Sequence, residues 1–349
     1  PEYVIFEGPG MDAFAESPEW GGSLVIFPFM YYETYGDDSL IKKYYPNMRR
    51  YVDYLKTRAE MGILSFGLGD WYDYGDFRAG FSRNTPVPLV ATAHYYMTVM
   101  YLIKAAKMVG NDFDIHYYTS LAHEILAAFN KCFLNKETAQ YGTGSQCSNA
   151  LPLFLQMTQD SDEQGSYQPD AKLDEKVLMN LIKDVEAHGN RLTTGDVGNR
   201  YLIQTLARNG QHELIYKMFN HEEAPGYGFQ LKFGATTLTE QWDPRQGSSW
   251  NHFMMGQIDE WFFNSLVGIR PSTTYQKFII APQPVGDLKY VKASYETLYG
   301  TIVVDWTSQN GTFTLNISVP VNTTAVVYLP GEKEPKEIQS GTYQLVCAK

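Results

Sequence analysis

Over the first 270 residues, apolar positions recur at helical spacing. In Ser39–Glu60 they fall at Ile41, Tyr44, Tyr45, Met48, Tyr51, Val52 and Leu55, with Lys, Arg and Asp between them, which predicts a helix with one buried face. Pro88–Val109 is apolar almost throughout and stops at Gly110, where a C-terminal cap belongs. Gly22–Tyr35 is apolar and aromatic on nearly every side, the pattern of a buried helix. Further helices are predicted over Asp114–Leu134, Ser148–Met157, Lys172–His188, Val197–Asn209, Glu213–Phe219 and Ser249–Val267, the last closed by Gly268. Short connections such as Gly36-Asp37-Asp38 and Asn209-Gly210-Gln211 alternate with long loops rich in Gly, Asp, Trp and Thr. In a barrel of helical hairpins the short turns gather at one end and the functional loops at the other.

Near Arg270 the period changes. Short β-branched and aromatic runs follow at Lys277–Ile280, Lys289–Tyr295, Gly300–Trp306, Thr312–Val319, Thr324–Leu329 and Tyr343–Val346, separated by turn residues such as Asn310-Gly311 and Pro330-Gly331. The chain therefore divides into a helical domain, residues 1–270, and a small all-β sandwich of jelly-roll type, residues 271–349.

Composition narrows the chemistry. Lys and Arg number 28 against 39 Asp and Glu, a net charge of −11 with no basic stripe, which disfavours nucleic acid and anionic membrane surfaces. No apolar run reaches the length of a membrane span. Three cysteines without a C-x-x-C pair or a His/Cys cluster argue against a disulfide framework and a structural zinc site and leave a Cys132–Cys147 bridge open. No metal or cofactor is expected. Aromatic residues make up 15% of the chain, and aromatic faces stack on the C–H faces of sugar rings, so a neutral glycan is the favoured partner.

Glycoside hydrolysis commonly needs two carboxyl groups around a sugar-shaped pocket, so acidic residues in aromatic, Gly-rich loops are the candidates. Gly67-Leu-Gly-Asp-Trp-Tyr-Asp-Tyr-Gly-Asp76 holds Asp70, Trp71, Asp73 and Asp76. Gly234-Ala-Thr-Thr-Leu-Thr-Glu-Gln-Trp-Asp243 holds Glu240 and Trp242, and Ser249-Trp-Asn-His follows with His252. Thr193-Thr-Gly-Asp-Val-Gly-Asn-Arg200 suits pocket lining and helix capping equally well. Pro18-Glu-Trp-Gly-Gly22 puts Trp20 before a helix, as a sugar platform or as core. No G-x-S-x-G, H-E-x-x-H or Walker motif occurs.

In this order, and with the later Phe278-Ile-Ile-Ala-Pro and Ala293-Ser-Tyr, these motifs resemble the bacterial α-L-rhamnosidases of glycoside hydrolase family 78. The resemblance implies an (α/α)6 barrel followed by a β-sandwich, and hydrolysis of terminal α-L-rhamnosides with inversion. It implies Glu240 as general base and Trp20, Asp70, Trp71, Trp242 and His252 at the sugar. It places the general acid in an Asp-Glu-Arg stretch upstream of Pro18-Glu-Trp-Gly, which this sequence lacks. Nine predicted helices also fall short of the twelve in such a barrel, so the first helices and the acid are expected outside this sequence, and a periplasmic or secreted location is favoured. Two alternatives stay open: another inverting (α/α)6 glycosidase of trehalase or glucosidase type, and a glycan-binding protein without catalysis.

Overall fold

The structure, a computed structural model, describes residues 16–161 and 167–348. Two compact units form. One takes in the residues up to Phe29, Asp38–Thr205 and His221–Met255; the other takes in Met30–Asp37, Leu206–Asn220 and Gly256 onward.

The helices run in the order α1 (Pro18–Gly21), α2 (Ser23–Tyr35), α3 (Ser39–Arg58), α4 (Val87–Val109), α5 (Asp112–Phe133), α6 (Gln146–Phe154), α7 (Ala171–Ala187), α8 (Gly198–Arg208), α9 (His212–Phe219), α10 (Tyr227–Lys232) and α11 (Ile258–Trp261). In the first unit α4 is the central post: α1, α3, α5 and α6 all pack on it. Its residues Leu89 to Val99 are buried without a break, so no polar face is left to define an amphipathic period. His94 inside it is satisfied locally, with Nδ1 2.8 Å from the Val90 carbonyl and Nε2 3.0 Å from the Tyr201 hydroxyl. Enclosure lowers its pKa to about 4, so it is a neutral core imidazole.

Turn chemistry sets the connections. Gly36, Gly110 and Gly210 all take positive φ, between 71° and 73°, and let the chain reverse within a few residues after α2, α4 and α8. Asn111 then caps α5 by accepting the Asp114 amide at 3.1 Å, and Ser145 caps α6 by accepting the Ser148 amide. Long connections follow α3, α5 and α7, so the alternation of short turns and long loops is present. Two small hairpins, β1 (Leu134–Asn135) with β2 (Gln140–Tyr141) and β3 (Gln159–Ser161) with β4 (Tyr167–Pro169), decorate this unit.

The second unit carries β5 (Ile269–Thr273), β6 (Lys277–Ile280), β7 (Tyr290–Thr297), β8 (Gly300–Gln309), β9 (Thr312–Val319), β10 (Thr324–Val327), β11 (Lys336–Ile338) and β12 (Gly341–Ala348). They form two four-stranded sheets, ordered β11-β10-β6-β5 and β12-β9-β8-β7. The second is antiparallel throughout, while β6 and β10 pair in parallel. Alternate residues turn inward: Ile302, Val304 and Trp306 from β8, Phe313, Leu315 and Ile317 from β9. Trp306 is fully buried and gives its indole N–H to the Leu266 carbonyl at 2.9 Å.

Two expectations need correction, and one open question closes. The helix expected over Ser249–Val267 is a 3-10 turn at Phe253–Met255, the short α11, and a π-helical turn at Phe262–Val267. Gly256 and Gln257 form a turn between the first two pieces, and Ser249–His252 is irregular loop with bends at Trp250 and Asn251. The run expected as a buried helix forms α2 over Ser23–Tyr35, but that helix buries only Val25, Pro28 and Phe29 and leaves Phe27 59% and Met30 54% exposed. The three cysteines are unbridged.

Candidate active site

All six residues singled out in the sequence lie in the first unit; Trp20 is in the short helix α1 and the other five are on loops. The Trp71 loop, residues 67–76, is held from below by carboxylates. Asp70 is fully buried; its Oδ1 accepts the Gly198 amide at 2.7 Å, and its other oxygen faces the position where a Gly198 side chain would stand. Asp73 accepts the amides of Arg83 and Asn84 at 2.7 and 2.6 Å. Glu19, next to Trp20, accepts the Gly69 amide at 3.1 Å and the Ser17 hydroxyl. Enclosure raises the Asp70 and Glu19 carboxyls to about 7 each.

These braces leave the aromatic groups outward. Trp71 is half-buried and lies edge-on to Tyr72 and Phe81, with centroids at 5.0 and 5.1 Å. Tyr72 sits at φ +59°, a left-handed conformation that a bulky side chain adopts only when its surroundings impose it. Trp20, at the end of the Pro18–Gly21 turn, is also half-buried.

Glu240 stands on the facing loop. Its backbone N–H donates to the Ser249 carbonyl at 2.9 Å, and its Oε2 accepts the Ser249 amide at 3.1 Å. This two-way clasp fixes where the carboxyl points. Among the described residues no cation pairs with it, and Tyr72 and Asp196 both feel its charge. The Leu238 carbonyl accepts the His252 amide at 2.9 Å, and the His252 ring stacks parallel to Phe253, 6.0 Å between centroids. His252 thus returns to the Glu240 loop, half-buried.

Two of the expected sugar contacts have no surface to offer. Trp242 is 1% exposed, donates its indole N–H to the Thr194 carbonyl at 3.2 Å, and meets Tyr227 edge-on. Asp70 is equally enclosed. Both lie behind the site: Trp242 anchors the Glu240 loop and Asp70 anchors the start of α8. Asp196, which sequence reasoning did not separate from a cap, is buried in the Thr193–Gly198 turn; burial, with the charges of Asp70 and Glu240, raises its carboxyl to about 8.

Among the described residues no three His, Cys, Asp or Glu side chains converge as metal ligands. The arrangement offers one oriented carboxylate without a counter-ion, solvent-facing indoles, and an imidazole. Such a group can take a proton from water and hold a ring against an aromatic face.

Helical hairpins that present loop carboxylates among tryptophans are the layout of six-hairpin glycosidases. The chain belongs to the bacterial α-L-rhamnosidase family: residues 1–266 match the bacterial α-L-rhamnosidase six-hairpin glycosidase domain, and residues 268–344 match the bacterial α-L-rhamnosidase C-terminal domain. An α-L-rhamnosidase of Streptomyces avermitilis is 28% identical over 92% of this chain and 30% of its own length. One from Formosa agariphila is 29% identical over 98% of this chain and 36% of its own. A solved α-L-rhamnosidase, from Dictyoglumus thermophilum, superposes with a TM-score of 0.85 at 31% identity, over 98% of this chain and 41% of that one. The chain thus spans about a third of the length of these curated relatives.

Proposed function

We propose that the protein containing this chain hydrolyses terminal α-L-rhamnosides with inversion of configuration, and that Glu240 is the general base. The observation that carries this reading is the state of Glu240: a half-buried carboxylate, clasped by Ser249, with no cation paired to it among the described residues. A base in that state activates a water against the anomeric carbon while an acid on the opposite face protonates the leaving oxygen. The proton donor is not assigned to this chain, whose sequence has no Asp-Glu-Arg stretch. Trp20 and Trp71 act as platforms for the sugar's apolar face, and His252 hydrogen-bonds its hydroxyls. Asp70 and Trp242 support the loops. Residues 1–270 form the catalytic part in this reading and the β-rich remainder accompanies it.

The test uses the full-length protein and a panel of aryl glycosides. Release from the α-L-rhamnoside and not from α-glucosides is expected, with β-L-rhamnose as the first anomer seen by NMR. Glu240→Gln is expected to lower kcat by about 10²–10⁴-fold, the usual reach of general acid–base catalysis, with Tm preserved. Turnover of Glu240→Gln near the wild-type value removes the assignment. Binding of rhamnosides without any hydrolysis by the full-length protein returns the non-catalytic alternative.

A further inference from the structure

A groove runs between α3 and α5, and none of the loops that carry Glu240, Trp71 and His252 contributes a residue to it. It holds two cavities, of about 510 and about 330 Å³, and Lys56, Phe113 and Tyr117 line both. Small-ligand clefts span about 300–1,000 Å³. Phe113 and Tyr117 stand one turn apart on α5, with ring planes 8° from parallel and centroids 6.3 Å apart. Phe113 is 75% exposed and Tyr117 40%. An aromatic pair four residues apart steadies a helix by about 0.2–0.5 kcal/mol. That accounts for the pairing, but not for two large rings left in water beside a groove with a built polar floor.

The floor is the buried Asp114 carboxylate. It accepts the Tyr45 hydroxyl and, at 2.8 Å, the Asn111 side-chain amide, and it holds the Arg49 guanidinium at 3.0 Å. On the α3 side Lys56 donates to the Tyr117 hydroxyl at 2.9 Å and lies 4.7 Å from the centre of that ring. One Asp53 oxygen accepts the Tyr118 hydroxyl at 2.9 Å. Side chains tied down in this way lose little freedom when a ligand arrives. Charge narrows the occupant. Arg49 and Lys56 are matched by Asp53 and Asp114 in the larger cavity, and the smaller one adds Glu124, so no excess positive charge draws an anion. A wholly apolar ligand would strip water from Asp53 and Lys56 and give them no partner. A neutral ligand with both C–H faces and hydroxyl groups satisfies the rings, the ammonium donor and the carboxylate acceptor together.

We propose that the groove between α3 and α5 binds a neutral glycan apart from the hydrolytic site, with sugar rings stacked on Phe113 and Tyr117 and hydroxyl groups bonded to Asp53 and Lys56. This goes beyond the catalytic reading and does not depend on it. Two cavities that share one aromatic divide fit a chain of at least two sugar residues better than a monosaccharide.

The test is affinity electrophoresis of the full-length protein, carrying Glu240→Gln so that no polymer is consumed, in gels containing arabinogalactan, xylan, mixed-linkage glucan or polygalacturonate. Retardation by at least one of the three neutral polymers is expected, and none by polygalacturonate. Phe113→Ala with Tyr117→Ala is expected to weaken that binding about tenfold or more, the loss that truncated aromatic anchors bring. Tyr290→Ala, which removes a ring 62% exposed on β7, is expected to leave it unchanged. With Glu240 intact, the double variant should keep kcat/KM on an aryl α-L-rhamnoside within about twofold and Tm within about 1–2 °C of wild type. Absence of retardation by every neutral polymer overturns the proposal. So does stronger retardation by polygalacturonate, undiminished retardation of the double variant, or an equal loss in Tyr290→Ala. If the double variant binds glycan as before but no longer self-associates in sedimentation velocity, the face is a contact between copies and the proposal falls. Loss of aryl rhamnoside turnover together with glycan binding overturns the separate site. If Glu240→Gln keeps turnover, the base assignment has failed, and retardation of the wild-type and double-variant proteins still decides the groove.

Discussion

At the scale of single residues, the loops of the site are braced by carboxyl groups withdrawn from solvent, Asp70 fully and Glu19 in large part. Asp70 and Glu19 hold loop amides from inside the protein, and each binds its proton more tightly there than in an unfolded chain. Such a group favours the fold fully below its ordinary pKa, and that contribution is lost as pH rises through the folded value of about 7. Asp70→Asn keeps an oxygen for the Gly198 amide and removes the charge. Its unfolding free energy relative to wild type is therefore expected to shift in the mutant's favour between about pH 5 and about pH 8, as followed by urea unfolding. A constant or opposite difference across that range means the carboxyl is not enclosed as described. The same burial explains what was legible here. Glu240 and Trp71 stand out in the sequence because carboxylate, indole and glycine crowd into one loop. Trp242 shares that crowding, yet its N–H is spent on the Thr194 carbonyl, a partner 48 residues away that no local pattern announces. Asp196 reads as a cap because its chemistry comes from Asp70 and Glu240, which only the fold brings near.

At the scale of elements, helices were legible wherever one face is buried or a glycine ends the run. Gly110 closes α4 in the left-handed region, and the amphipathic pattern of α3 matches its buried residues Ile41, Tyr45, Met48, Tyr51, Val52 and Leu55. Besides the small hairpins β1–β4 of the helical part, the strands that escaped notice are β5 and β11, both sheet edges. Pro271 in β5 and the Lys-Glu start of β11 are unstrandlike residues that edges tolerate and interior strands do not. The stretch after Ser249 misleads for a different reason: Met255, Ile258, Trp261 and Leu266 are spaced like a helix face and are buried, but the backbone that carries them changes pitch twice. Gly268 ends that stretch at φ +88°, where a Cβ would stand 2.4 Å from both the Ala281 carbonyl carbon and the Pro282 nitrogen. Gly268→Ala combines a disfavoured φ with a backbone clash, so a loss of more than about 1 kcal/mol is expected. A urea midpoint equal to wild type shows that the turn into β5 does not need glycine.

At the scale of the whole molecule, two surface properties act against each other. The net charge of −11 keeps copies of the chain apart at neutral pH, and the sequence pI of about 5.1 marks where that repulsion vanishes. Against it stands the outer side of α2, where Leu24, Phe27 and Met30 follow at three-residue spacing with 38%, 59% and 54% of their surface exposed. Single exposed apolar side chains are ordinary on a protein surface, but three on consecutive turns of one helix form a patch. Residues at that spacing gain from contact with any apolar surface, and a second copy presents the same one. Self-association of this chain is therefore expected to grow as pH falls toward 5.1 and as salt screens the charge. Phe27→Lys with Met30→Glu introduces polar groups at exposed sites and should leave Tm within about 1–2 °C of wild type. It is expected to reduce the mass-average assembly seen by sedimentation velocity at the same protein concentration. If the variant associates as wild type does while its fold is intact, the contact lies elsewhere and α2 is not the adhesive face. If association disappears, the apolar surface that the sequence pattern assigns to a buried helix is the one the folded chain leaves open.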